Sequence, residues 1–132
     1  PDRLAGLAGR MREKLQIKFD SPRASIRSLS GGNQQKVLMG RWLAAEPRVL
    51  VMSEPTRGVD IGAKDEICRY IRDLAAGGGS FVVSSSDYDE LLRLVDRVLV
   101  MNGGRVVAEF TRGTMRKEDL IHAAGITHAA AG

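Results

Sequence analysis

Leu29-Ser30-Gly31-Gly32-Asn33-Gln34-Gln35-Lys36, together with the later run Val49-Leu50-Val51-Met52-Ser53-Glu54-Pro55-Thr56-Arg57-Gly58-Val59-Asp60, decides the fold of this chain. A serine and two glycines ahead of a helix leave backbone N–H groups uncovered at the positive helix end, which is chemistry suited to an anion. Val49–Met52 is a short apolar run that reads as a buried strand, and Ser53-Glu54 closes it. A carboxylate at the C-terminal end of a parallel-type strand sits where ligands bind in open α/β sheets.

Outward from this stretch the chain alternates helix and strand. Leu4, Leu7, Met11 and Leu15 recur at helical spacing and predict an amphipathic helix over 3–15, and a loop with Ser21-Pro22 runs to Ser28. The next helix is expected from Asn33 to Ala45, with Val37, Leu38, Arg41 and Trp42 on its packing face and a stop at Glu46-Pro47. Asp60 is a natural N-cap for a helix over 62–76 that buries Ile67, Tyr70, Ile71 and Leu74, and Gly77-Gly78-Gly79 ends it. Phe81–Ser84 predicts a second strand, with Ser85-Ser86-Asp87 as its polar end. A short helix near 88–95 turns Leu91, Leu92, Leu94 and Val95 inward. Arg97–Met101 and Arg105–Phe110 flank Asn102-Gly103-Gly104, a hairpin signal. A last helix over 115–124 is expected to bury Met115, Leu120 and Ile121, ahead of an Ala/Gly-rich tail that should fray. This order argues for an α/β fold with a parallel core and an antiparallel hairpin.

At 132 residues the chain has room for one domain, and no apolar run approaches the length of a membrane span. It opens Pro-Asp-Arg-Leu, without the apolar core of a signal peptide, and a first residue other than Met suggests a segment of a longer protein. The lone Cys68 can make no internal disulfide, which fits a reducing cytoplasm. Residues 1–48 hold ten basic and four acidic side chains, whereas residues 49–132 hold ten and twelve. The arginines of the basic third are dispersed and only six aromatics exist for base stacking, so a solvated basic face is expected and no nucleic-acid partner. His122 and His128 fall in the last helix and tail, outside any catalytic context.

LSGGNQQK at 29–36 and VLVMSEPTRGVDIGAK at 49–64 resemble the signature motif, Walker B strand and D-loop of ABC-transporter ATPases. More narrowly, the chain is similar to the second nucleotide-binding domain of the tandem ATP-binding proteins of bacterial ribose/galactose-type sugar importers. The resemblance implies an incomplete P-loop (ABC-type) α/β ATPase domain, with a helical signature portion over 1–48, a Walker B, D-loop and switch portion over 49–125, and the tail over 126–132. No Gly-x-x-x-x-Gly-Lys-Ser/Thr loop is present, since Gly77-Gly78-Gly79-Ser80 lacks the lysine and precedes a strand. The Walker A strand is therefore expected to be absent, leaving an apolar edge on the strand at Val82–Ser84 open to self-association.

The same resemblance implies the roles of individual residues. Ser30, Gly31 and Gly32 would donate to the γ-phosphate of ATP held by the partner domain, with Asn33 and Gln34 fixing the loop and Asp60 bridging to the opposite site. Glu54 would polarise the attacking water. The family's metal-ordering aspartate is replaced by Ser53, whose neutral hydroxyl cannot supply the charge that holds Mg²⁺. Ser86 takes the place of the switch histidine, keeping a hydrogen-bond donor without a titratable ring. ATP and Mg²⁺ are expected only in the complete two-domain assembly, with a second nucleotide-binding domain and a membrane permease subunit as partners, at the cytoplasmic face of the bacterial plasma membrane. The competing expectation is a non-catalytic remnant or interaction module of the same ancestry.

Overall fold

A computed structural model describes residues 2–125, with side chains from residue 5 onward. Leu4 as a packing residue, His128 and the tail over 126–132 lie outside the described residues or side chains. Two compact units divide between Ser84 and Ser85.

The first unit runs α1 (Asp2–Leu15), a 3₁₀ turn at Ile26–Ser28, α2 (Gly31–Leu43), β1 (Val49–Ser53), α3 (Ile61–Ala76) and β2 (Ser80–Ser84). β1 and β2 pair in parallel, from Val49 opposite Ser80 to Ser53 opposite Ser84, with α3 as the crossover that a parallel pair requires. Contrary to the buried strand expected here, the pair is covered by its own unit on one face only, where Leu50 is buried, while Val49, Val51 and Val82 on the other face are exposed, because no described element packs there. The sheet has two strands among the described residues, so each strand keeps an unpaired edge. In α3 Asp60 is the N-cap and Ile67 and Ile71 of the expected face are buried, but Tyr70 and Leu74 are only half-buried and Cys68, not expected on that face, is buried in their place.

The packing face of α2 differs from the expected one. Trp42 is 60% exposed, Leu38 and Arg41 are also exposed, and the buried positions are Gly32, Lys36, Met39 and Gly40. Hydropathy pointed to the wrong stripe because two of the packed residues are glycines, which carry no apolar signal but let a neighbouring backbone come close. Gly40 lies under Leu15 and Met11 of α1, and Gly32 lies against α3. The helix also begins at Gly31 rather than Asn33 and ends at Leu43.

The second unit contains α4 (Tyr88–Leu94), β3 (Arg97–Asn102), β4 (Arg105–Thr111) and α5 (Lys117–Gly125). β3 and β4 form the expected hairpin, joined by Gly103 and Gly104 at φ +54° and +74°, the primed-turn geometry that glycine allows without strain. A bulge between Val100 and Met101 shifts the register. Leu91, Val98, Val100 and Leu120 form the core, with Leu92, Val95, Phe110 and Met115 packed against it. Ile121, expected inside, is 47% exposed, because α5 starts at Lys117 and turns Leu120 alone fully into the core.

Candidate functional site

The residues of the first motif form a turn fixed from three sides. Ser30 is the N-cap of α2, and its Oγ accepts from the Asn33 backbone N–H at 3.4 Å and from Asn33 Nδ2 at 3.0 Å. Both contacts use hydroxyl lone pairs, so the single O–H proton of this exposed serine remains to donate elsewhere. Asn33 Oδ1 accepts the Lys18 backbone N–H at 2.9 Å, tying the incoming loop to the helix. Gln34 Nε2 donates to the Leu29 carbonyl at 2.8 Å, which holds the residue before the turn. Gly31 and Gly32 are the first residues of a thirteen-residue helix, and their N–H groups have no acceptor within it. The donor set of one hydroxyl and a helix start fits an oxyanion such as a phosphate group. Beside Ser30 a shallow cavity of about 460 Å³ opens between Arg12, Lys18, Phe19 and Asn33, and the Arg12 guanidinium stacks over the Phe19 ring at 4.7 Å.

The second motif lies against the first. A Cβ on Gly31 would stand 3.1 Å from the Gly58 carbonyl oxygen, and one on Gly32 only 2.5 Å from the Ala63 Cβ. Glycine at both positions is what lets the turn reach the loop between β1 and α3. Asp60 caps α3, its Oδ1 accepting the Ala63 N–H at 2.9 Å. Four residues along α2 from Gly32, the buried Lys36 ammonium reaches Glu66 of α3 at 2.5 Å. That hydrogen bond, with the lysine charge behind it, holds the Glu66 carboxyl below its ordinary value. Sequence reasoning missed this pair. The available signal was spacing, since Gly32 and Lys36 stand four apart on one helix, and Ala63 and Glu66 three apart on the other.

Ser53 and Glu54 lie at the end of β1, as the strand assignment requires. Glu54 has φ +49°, a left-handed conformation uncommon outside glycine. It is held there on both sides, because its N–H donates to the Ser84 carbonyl at 2.7 Å and its carbonyl accepts the Arg57 N–H at 3.1 Å. Pro55 and Thr56 behind it are buried, so the chain turns sharply and the Glu54 side chain is half-buried at the strand tip. Ser53 is exposed. Among the described residues no three His, Cys, Asp or Glu side chains cluster as a metal site.

Ser86 belongs to the second unit, in the segment before α4, and is exposed. On one side of it the Ser85 hydroxyl hydrogen-bonds to the buried Glu90 carboxylate, and on the other Asp87 caps α4 through the Glu90 N–H at 3.0 Å. His122 is exposed on α5.

No protein-family model matches the chain. It is 49% identical over 111 residues to the ribose import ATP-binding protein RbsA 2 of Streptomyces avermitilis, a match covering 84% of this chain and 22% of that protein. Against the arabinose import ATP-binding protein AraG of Rhizobium johnstonii the identity is 46%, over 94% of this chain and 25% of that one. The ribose import ATP-binding protein RbsA of a Ruegeria species matches all of this chain at 44% identity, over 26% of its own length. Among solved structures, MJ1267, an ATP-binding cassette of an ABC transporter, superposes with a TM-score of 0.76 at 26% identity, over 97% of this chain and 49% of that one. A nucleotide-free cassette gives 0.77 at 28% identity, over 85% and 44%. The chain thus spans about a quarter of the curated relatives it matches, and about half of each solved cassette. With the serine–glycine turn, the strand ending in Glu54 and the Asp60-capped helix in place, the chain belongs to the ATP-binding cassettes of ABC transporters, as a partial cassette similar to those of bacterial sugar-import ATP-binding proteins.

Proposed function

We propose that this chain is the signature-bearing part of the ATP-binding subunit of a bacterial carbohydrate importer, in which ATP hydrolysis by paired cassettes drives sugar uptake. The observation that carries the reading is the fixed turn at Ser30, where Asn33 holds the hydroxyl oxygen of an exposed serine at the start of a thirteen-residue helix. Ser30, Gly31 and Gly32 then serve ATP held on an opposing cassette, with Asn33 and Gln34 setting the turn and Asp60 at the same contact. Glu54, at the strand tip, orients and deprotonates the attacking water, and Ser86 donates a hydrogen bond to the transferred phosphate. Mg²⁺ supplies charge neutralisation when bound in the complete assembly, and Ser53 brings no charge of its own to that task. The partners are a second cassette and a membrane permease subunit, and the site of action is the cytoplasmic face of the plasma membrane. No helix among the described residues is long and apolar enough to cross a membrane.

The reading is tested with Gly31→Asp in the complete protein. A carboxylate at the helix start repels phosphate, so ATP-driven association of cassettes should be lost while the ATP affinity of each separate cassette is unchanged. A fall in that single-cassette affinity would mean the turn serves its own nucleotide, and the reading would fail.

A further inference from the structure

We propose that Glu90 is a positioning residue for Ser86, acting through the Ser85 hydroxyl; the proposal rests on the role given to Ser86 above. A helix that begins with an Asp N-cap and a Glu at the third helical position ordinarily closes a reciprocal box, in which the glutamate returns to the N–H of the cap residue. In α4 the first half of the box is present, with Asp87 Oδ1 accepting the Glu90 N–H at 3.0 Å. The second half is relayed. The Asp87 N–H donates to Ser85 Oγ at 3.1 Å, and the Ser85 hydroxyl in turn hydrogen-bonds to Glu90 Oε2. Glu90 is 2% exposed, and a carboxylate is withdrawn from water only where hydrogen bonds compensate it. Residues 85 and 87 are therefore both fixed to one buried group, and Ser86 is the exposed residue between them.

This matters because of the chemistry of serine. A serine hydroxyl stands one carbon from the backbone, so it has little reach of its own and its placement is set by the main chain on either side. Groups that act on a transferring phosphoryl must be held within a fraction of an ångström, and that precision comes from a supporting shell of hydrogen bonds. The relay through Ser85 supplies such a shell to a donor that lacks the length of an imidazole.

The test uses the complete protein with Glu90→Ala, Glu90→Gln, Ser85→Ala and Ser86→Ala. Glu90→Ala and Ser85→Ala should each lower kcat for ATP about tenfold with KM within about twofold, as expected for loss of alignment without loss of binding. Glu90→Gln keeps an acceptor for the Ser85 hydroxyl and should retain most of the turnover. In a Ser86→Ala background Glu90→Ala should have no further effect. Amide exchange at Asp87 should quicken in Glu90→Ala while the Val98 and Val100 amides of the hairpin keep their protection. An equal loss of kcat from Glu90→Ala with and without Ser86, or a uniform rise in exchange across the unit, overturns the proposal. If the unsubstituted protein shows no ATP turnover, the proposed function falls, and the Asp87 amide still judges the Glu90 arrangement by itself.

Discussion

Gly32 of α2 meets Ala63 of α3 so closely that a Cβ on residue 32 would stand 2.5 Å from the alanine methyl. The two motifs are thus bound into one rigid piece by the absence of a side chain. Gly32→Ala should destabilise the chain by about 1–3 kcal/mol, the usual scale for an overpacked contact. Adding Ala63→Gly should recover part of the loss, and urea unfolding of the single and double variants measures it. Equal stability of Gly32→Ala and the unsubstituted chain would show that the helices separate freely.

The Lys36–Glu66 pair is asymmetric, with side-chain exposures of 9% and 50%. Removing Glu66 leaves a buried ammonium without this partner, whereas removing Lys36 leaves a carboxylate that water can solvate. Glu66→Ala is therefore expected to cost more than Lys36→Met, with the net value of the pair near the upper end of about 0.2–1 kcal/mol because half of it is wet. The folded Glu66 carboxyl titrates below its unfolded value, so its contribution is present above the unfolded value and is lost as pH falls through the folded one. The pH-dependent part of the difference between the unsubstituted and Lys36→Met chains should therefore fade as pH drops below the ordinary carboxylate range.

Glu54 is held at a positive φ that glycine adopts without cost. Glu54→Gly should leave stability unchanged or raise it by up to about 1 kcal/mol, less the entropy of a freer unfolded chain. In the complete protein the same change should lower ATP turnover about 10²-fold or more, since it removes the carboxylate proposed to orient the attacking water. Melting curves and hydrolysis assays together check the pair of effects, and a loss of both stability and turnover would contradict it.

Ser53→Asp adds a carboxylate beside Glu54 at the tip of β1. In the complete protein it should tighten the Mg²⁺ dependence of hydrolysis, seen as a lower concentration for half-maximal rate. An unchanged dependence would show that metal is held without this position.

Val51 is 72% exposed, with Val82 opposite it in the parallel register and also exposed. Parallel sheets are ordinarily covered on both faces, and open strand edges invite further pairing. The 132-residue chain by itself should therefore associate in sedimentation runs, and Val51→Lys should reduce that association. A monodisperse unsubstituted chain at high concentration would refute it.

Much of this architecture was legible in the residues. The positions of the strands though not their burial, the Asp60 cap and the Gly103-Gly104 turn each carry a local signal that the structure bears out, because hydrophobic runs, caps and turns are short-range chemistry. The face of α2 was not, since Gly32 and Gly40 pack by being small and Trp42 lies outside despite its size. The left-handed turn at Glu54 was equally hidden, because it is imposed by the parallel partner strand and the buried Pro55-Thr56 rather than by glutamate itself. Lys36 was visible as part of a motif, but its partner thirty residues away was a matter of tertiary packing.

The connection through α3 also sets a sequence of events in time. The hairpin pairs neighbours across two glycines, whereas Val49 meets Ser80 only after the whole crossover has closed. Local pairings form early and long closures late, because the closing loop loses entropy before any contact repays it. The stretch that bears the serine–glycine turn and the strand-tip glutamate is accordingly expected to assemble more slowly than the hairpin half.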